Sequence, residues 1–209
     1  MRPFHTLRVS ALIAAVSAAA FAQKAEPAGP PPSDLAGPIA QALQKDGTRI
    51  VNGGKPYCEL WFRTDKPTGP KSGEDSVTLS TVPQGALVGV IHFDGNGADR
   101  RGQTIKPGTY TLRYSLMPVN GDHQGAAPQR DFLLMTPAAN DKDLSAAPNF
   151  DTLVEWSKKA SGTPHPAVMS LWKADDGKPG LSQDGMDWVL QNKLGDTPIA
   201  IIVIGTAGS

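Results

Sequence analysis

Nine short stretches, alternating or continuously apolar and closed by clusters of Gly, Pro, Asn or Asp, constrain this chain more than any other feature. They are Thr48–Val51, Tyr57–Arg63, Ser76–Val82, Ala86–Phe93, Thr109–Met117, Arg130–Thr136, Ala167–Lys173, Trp188–Lys193 and Pro198–Ile204. Side chains along an extended strand alternate between its two faces, so a period of two marks a strand with one buried face. Turn signals separate the stretches: Asn52-Gly53-Gly54, Asp94-Gly95-Asn96-Gly97, Pro107-Gly108, Asn120-Gly121-Asp122, Asp176-Gly177 and Gly195-Asp196. In Thr109–Met117, Tyr110, Leu112, Tyr114 and Leu116 predict an apolar face, while Thr109, Thr111, Arg113 and Ser115 predict a wet one. ALVGVIHF (86–93) and IAIIVI (199–204) are almost continuously apolar, which predicts central strands buried on both faces.

Helices are few. The 22 Gly and 19 Pro among 209 residues weaken helix interiors. One short helix is predicted after Ser33 or Asp34, with Pro38 in its first turn and Leu35, Ile39, Ala42 and Leu43 on one side. A second is predicted over Thr152–Ala160, capped by Asn149 or Asp151 and stopped by Gly162, with Leu153, Val154 and Trp156 on its buried side. A parallel α/β fold would need about as many helices as strands. The expected class is therefore all-β, a β-sandwich or jelly roll of about nine strands with one or two short helices, forming one domain over residues 34–209.

The amino terminus carries Arg2 and Arg8, an apolar run from Val9 to Ala22, and the small-residue site Ala20-Phe21-Ala22. This pattern predicts a signal peptide over residues 1–22, cleaved near Ala22, and a periplasmic or secreted protein. The apolar run falls short of the roughly 20 residues that span a bilayer, so no membrane span is expected. Residues 23–33, QKAEPAGPPPS, read as a Pro/Ala-rich linker. Basic and acidic residues balance at 20 each, and cleavage would leave 18 against 20. That balance removes the electrostatic basis for binding nucleic acid or an anionic membrane. The single cysteine, Cys58, excludes an intrachain disulfide and any multi-cysteine metal centre; beside Leu60 and Phe62 it reads as a small core residue.

The series GVIHF (89–93), IKPGTYTLRY (105–114), GDH (121–123), RDFLLM (130–135) and HP (165–166) resembles a group of uncharacterised exported bacterial β-sandwich proteins that share a KPGTYTLRY…GDH…RDF core. The resemblance covers roughly residues 45–173. It implies a β-sandwich and a bacterial periplasmic setting, and it brings no assigned activity and no catalytic residues.

Two constellations could carry chemistry. His92, His123 and His165, joined by Asp122 and Asp131, would form a metal site if the fold made them converge, with a divalent transition metal such as zinc as cofactor. No H-x-H or H-E-x-x-H spacing supports that convergence. Tyr57 and Trp61 lie on the strand face opposite Cys58, Leu60 and Phe62, where aromatic side chains could stack on a sugar ring. Arg113, on the polar side of its strand, and the Arg130–Asp131 pair that opens the next read either as an anion site or as a cross-strand Arg–Asp bridge near Asp122 and His123, tying the 118–129 loop. Trp156, Trp172 and Trp188 sit in apolar patterns. No G-x-S-x-G elbow occurs, and most Asp residues fall in turns. The expected function is an exported, non-catalytic binding or interaction module, cofactor-free, whose partner is a carbohydrate or a cell-envelope protein. The alternative is a metal-dependent enzyme built around His92, His123 and Asp131.

Overall fold

A computed structural model describes residues 23–119, 130–175 and 178–206. Twelve strands and two helices follow in the order β1 (Lys24–Gly29), α1 (Gly37–Ala42), β2 (Gly47–Asn52), β3 (Lys55–Phe62), β4 (Leu87–Phe93), β5 (Gly97–Ala98), β6 (Thr104–Ile105), β7 (Gly108–Leu116), β8 (Asp131–Pro137), α2 (Phe150–Ser161), β9 (Val168–Lys173), β10 (Gly180–Asp184), β11 (Asp187–Leu194) and β12 (Thr197–Ile204). Ten strands make one antiparallel sheet in the order β1-β2-β3-β4-β7-β8-β9-β12-β11-β10, and β5 and β6 form a separate small ribbon. The class is all-β. The sheet curls until its first and last strands approach, so the barrel is nearly closed. Side chains bridge the seam: Asn192 Nδ2 donates to Thr48 Oγ1 at 3.3 Å, and Gln44 Nε2 to the Lys193 carbonyl at 3.1 Å.

Alternation explains the interior. Leu60, Phe62, Ile91, Leu112, Leu133 and Ile201, from five different strands, meet inside the barrel with no exposed surface. As their apolar runs imply, β4 and β12 are buried on both faces: Leu87 and Val90 pack outward under α1, and Ala200 and Ile202 pack outward beside Trp172. Helix α2 also follows its sequence signals. Asn149 Oδ1 accepts from the Thr152 amide at 2.9 Å, and Gly162 closes the helix in the left-handed region at φ 69°. Its Leu153 packs against Phe132 and Leu134 on the outside of β8.

Four expectations change. Residues 24–29 are an edge strand, where a linker was expected, with Lys24 opposite Val51 and Gly29 opposite Gly47. Proline is tolerated there because an edge strand has one side with no ladder to complete. Ser76–Val82 is not a strand. Leu79 and Val82 instead plug the barrel core from the irregular 64–86 connection. Helix α1 starts later than expected, at Gly37, with no side-chain cap, because the Asp34 carboxylate serves Thr109 instead. The expected wet face of β7 is covered: Thr109, Thr111, Arg113 and Ser115 are all buried. Their polarity is answered by partners on overlying segments: Asp34 before α1, Gln84, and Asp141 and its neighbours.

Candidate functional site

The long 64–86 connection crosses the end of the barrel where β7 finishes. Between it and the chain leaving β7 lies a groove of about 640 Å³, within the size range of small-molecule sites. Its apolar wall is made by Val82, Pro83, Leu116, Pro118, Val119 and Phe150. Val119 is 81% exposed, which is exceptional for a large apolar side chain among the described residues.

Arg130 stands at the rim. Its Nε and Nη2 donate to the Met117 carbonyl at 3.1 and 2.9 Å, and Nη1 donates to the Asp75 carbonyl at 3.2 Å. Nη2 also donates to Glu74 Oε2 at 2.6 Å. The two partners differ in setting, since the Arg130 side chain is 19% exposed and that of Glu74 55%. The hydroxyls of Ser72 and Ser80 belong to residues lining the same groove.

Arg113 has a different environment. Nε and Nη2 clasp Asp141 at 2.7 Å each; Nη1 donates to the carbonyls of Gly85 and Ala146, and Nη2 to that of Asp143. Five N–H groups meet five acceptors, so the guanidinium has no donor left for a ligand. The expected Arg113–Asp131 pair does not form. Arg113 is a clamp that ties the 138–147 segment onto β7.

Asp131 is wholly buried and accepts four hydrogen bonds: from the Thr78 amide and hydroxyl, the Leu79 amide and the Tyr114 hydroxyl, at 2.7–3.0 Å. It anchors the plug. Burial, reinforced by the Asp131 hydrogen bond and charge, pushes the Tyr114 hydroxyl far above the ordinary tyrosine range.

His92 on β4 and Asp94 just beyond its end do meet, with Nε2 and Oδ1 3.2 Å apart. Nδ1 lies 2.9 Å from Thr109 Oγ1, which donates to Asp34 at 3.2 Å. The sequence Asp94–His92–Thr109 has the outline of a nucleophilic triad, but Thr109 Oγ1 also faces the Asp34 carboxylate, which competes with His92 for its proton. A carboxylate beside the hydroxyl would also oppose the charge of an attacking alkoxide. This relay ties the segment ahead of α1 to the barrel.

The described members of the expected metal set, His92, Asp131 and His165, do not assemble. His92 pairs with Thr109 at the start of β7 and Asp131 with Leu116 at its end, seven residues or about 23 Å apart. One ion cannot take both. His165 is exposed in the turn after α2, where its carbonyl accepts from Ser161 Oγ at 2.7 Å. Asp122 and His123 lie outside the described residues. Among the described residues, no three His, Cys, Asp or Glu side chains group so as to hold an ion.

The Tyr57/Trp61 stripe is closed as well. Trp61 is 1% exposed, lies under α1, and donates Nε1–H to the Gly29 carbonyl at 2.8 Å. Gly47 permits that burial, since a Cβ there would sit 2.3 Å from the indole nitrogen. Tyr57 is half-buried, edge-on to Phe93, and its hydroxyl accepts from the Ala98 amide at 2.9 Å. Trp156, Trp172 and Trp188 are half-buried against core clusters. Cys58 is buried, and desolvation raises its thiol well above the ordinary range, so it is a core residue and no nucleophile.

No family model, curated protein or solved structure matches this chain. Among the described residues no helix is long and apolar enough to cross a membrane.

The groove itself was not among the features singled out from sequence. Arg130 was, with Arg113 and Asp131, as part of an ion pair or anion site, but its partner here is Glu74, 56 positions away. Two adjacent features could have drawn attention to the region: the Pro- and Gly-rich run from Lys66 to Gly73, unsuited to a strand, and the apolar Met117-Pro118-Val119 where a polar turn would be ordinary.

Proposed function

We propose that the protein is an exported, non-catalytic binding module whose groove beside Arg130 holds a small, largely apolar ligand. The observation that carries this reading is the apolar wall left open to solvent, with Val119 at its mouth and a charged group at its rim. Exposing such a surface costs free energy, about 25 cal/mol for each Å² that a ligand would cover. The polar constellations elsewhere support the non-catalytic part. Arg113 and Asp131 spend their hydrogen-bonding capacity on the protein's own loops, and the His92–Thr109 pair is turned toward Asp34.

A titration with Nile red, a neutral apolar dye whose fluorescence rises on leaving water, tests the reading. Saturable binding of one dye per chain is expected, weakened at least tenfold by Val119→Asp. Absent or non-saturating binding, or equal binding by the variant, would overturn it.

A further inference from the structure

We infer that the groove's ligand is an aliphatic carboxylic acid whose carboxylate replaces Glu74 on Arg130. This inference rests on the groove being a binding site, as proposed above, and adds the chemistry of what it binds. The rim ion pair is unequal. Arg130 is pinned from behind by the carbonyls of Met117 and Asp75, which fixes its guanidinium toward the groove before any ligand arrives. Glu74 sits on the exposed 64–86 connection, more than half exposed, and none of its described hydrogen bonds to other side chains holds its carboxylate apart from that to Arg130. An ion pair with one solvated, unanchored partner is weak, so Glu74 is released into water at little cost.

Exchange of one carboxylate for another preserves the charge-assisted hydrogen bond on Arg130, while the added negative charge is borne by Glu74 in water, where it is screened. The incoming group differs in bringing an apolar chain, which would lie along Leu116, Val119 and Phe150 and leave water with them. A cationic amphiphile lacks this match: its natural partner would be Glu74, the exposed member of the pair, and its charge would face a guanidinium held by two carbonyls. The carboxylate's geometry also suits the planar fork of arginine, which two oxygens can engage together.

Calorimetric titration of decanoate, with decyltrimethylammonium as control and Nile red as a reporter of the groove itself, tests the inference on the full mature chain. One decanoate per chain should bind, about tenfold or more tightly than the cation. Arg130→Gln should remove that preference while Nile red still binds. Glu74→Gln, which removes the competing carboxylate and leaves the arginine in place, should tighten decanoate severalfold. Nile red binding with no preference for decanoate over the cation, or weaker decanoate binding in Glu74→Gln, would overturn the carboxylate inference and leave the binding reading standing. Failure of both probes to bind would overturn the two together.

Discussion

Two arginines beside the β7–β8 pair show how the same side chain serves two ends. Arg113 is sealed: the side-chain exposures of Arg113 and Asp141 are 0% and 1%, and every N–H has an acceptor inside the protein. Arg130 is open: it is held by two carbonyls and faced by an exposed glutamate at the edge of an apolar groove. The difference lies in the cover. The 138–147 segment lies over Arg113, whereas the 64–86 connection meets Arg130 through Glu74 and Asp75. A buried, saturated ion pair fixes structure and recognises nothing else. A pinned arginine with a replaceable partner is suited to recognition.

Stability measurements should separate the two most sharply. Arg113→Met strands the Asp141 carboxylate in the core and should cost about 3–5 kcal/mol by urea unfolding, and a second change, Asp141→Leu, should restore much of it. Arg130→Met should cost only about 1 kcal/mol, because its acceptors remain near water. Similar losses from both would erase the distinction.

Asp131→Ala comes next. It leaves the amides of Thr78 and Leu79 and the Tyr114 hydroxyl without their acceptor, and about 2–3 kcal/mol should be lost. The plug should loosen first, seen as faster amide exchange at Leu79 than at Leu133. Uniform exchange would mean that the 64–86 connection is not anchored through Asp131.

Alkaline titration probes the sealed interior in another way. An exposed thiol ionises near pH 9.0, but burial holds the Cys58 proton on to higher pH in the folded state. Above pH 9 the unfolded chain therefore binds fewer protons than the folded one, and stability falls as pH rises, by up to about 1.4 kcal/mol per pH unit. Tyr57, raised by burial from 10.0 to about 12, adds a second loss between those values. Cys58→Ala should abolish the decline between pH 9 and 10 and leave the later one. A decline unchanged in the variant would place the titrating group elsewhere. The smallest effect on stability belongs to the open region: Val119→Asp should leave the unfolding free energy from urea within about 0.5 kcal/mol of the parent while weakening Nile red binding at least tenfold.

Much of the scaffold was legible because its signals are local. The alternation of Tyr110, Leu112 and Tyr114 marked β7, and Asn149 and Gly162 marked both ends of α2. What escaped depends on residues far apart in the chain. The SVTLSTV run has strand periodicity, yet the amides of Thr78 and Leu79 donate to Asp131, more than 50 positions away. Alternation also reports polarity without reporting exposure, so the outward face of β7 reads as wet although Asp141 and Asp34 cover it. The Pro-rich 24–29 stretch resembled a linker because a missing N–H is costly only where a neighbour strand needs it. The groove has only faint local hints, because its lining comes from four separate parts of the chain, within 70–84 and 114–119 and at Arg130 and Phe150, that meet only in the fold.

Amide chemical-shift mapping with decanoate reads the central claim, a ligand site at the open arginine, most directly. Saturating shifts should concentrate at Ser72, Val82, Leu116, Met117, Val119 and Arg130, with the Arg113 clamp and the seam between β1 and β10 unchanged. Shifts centred on that seam or on the Arg113 clamp, or no saturating shifts anywhere, would contradict it.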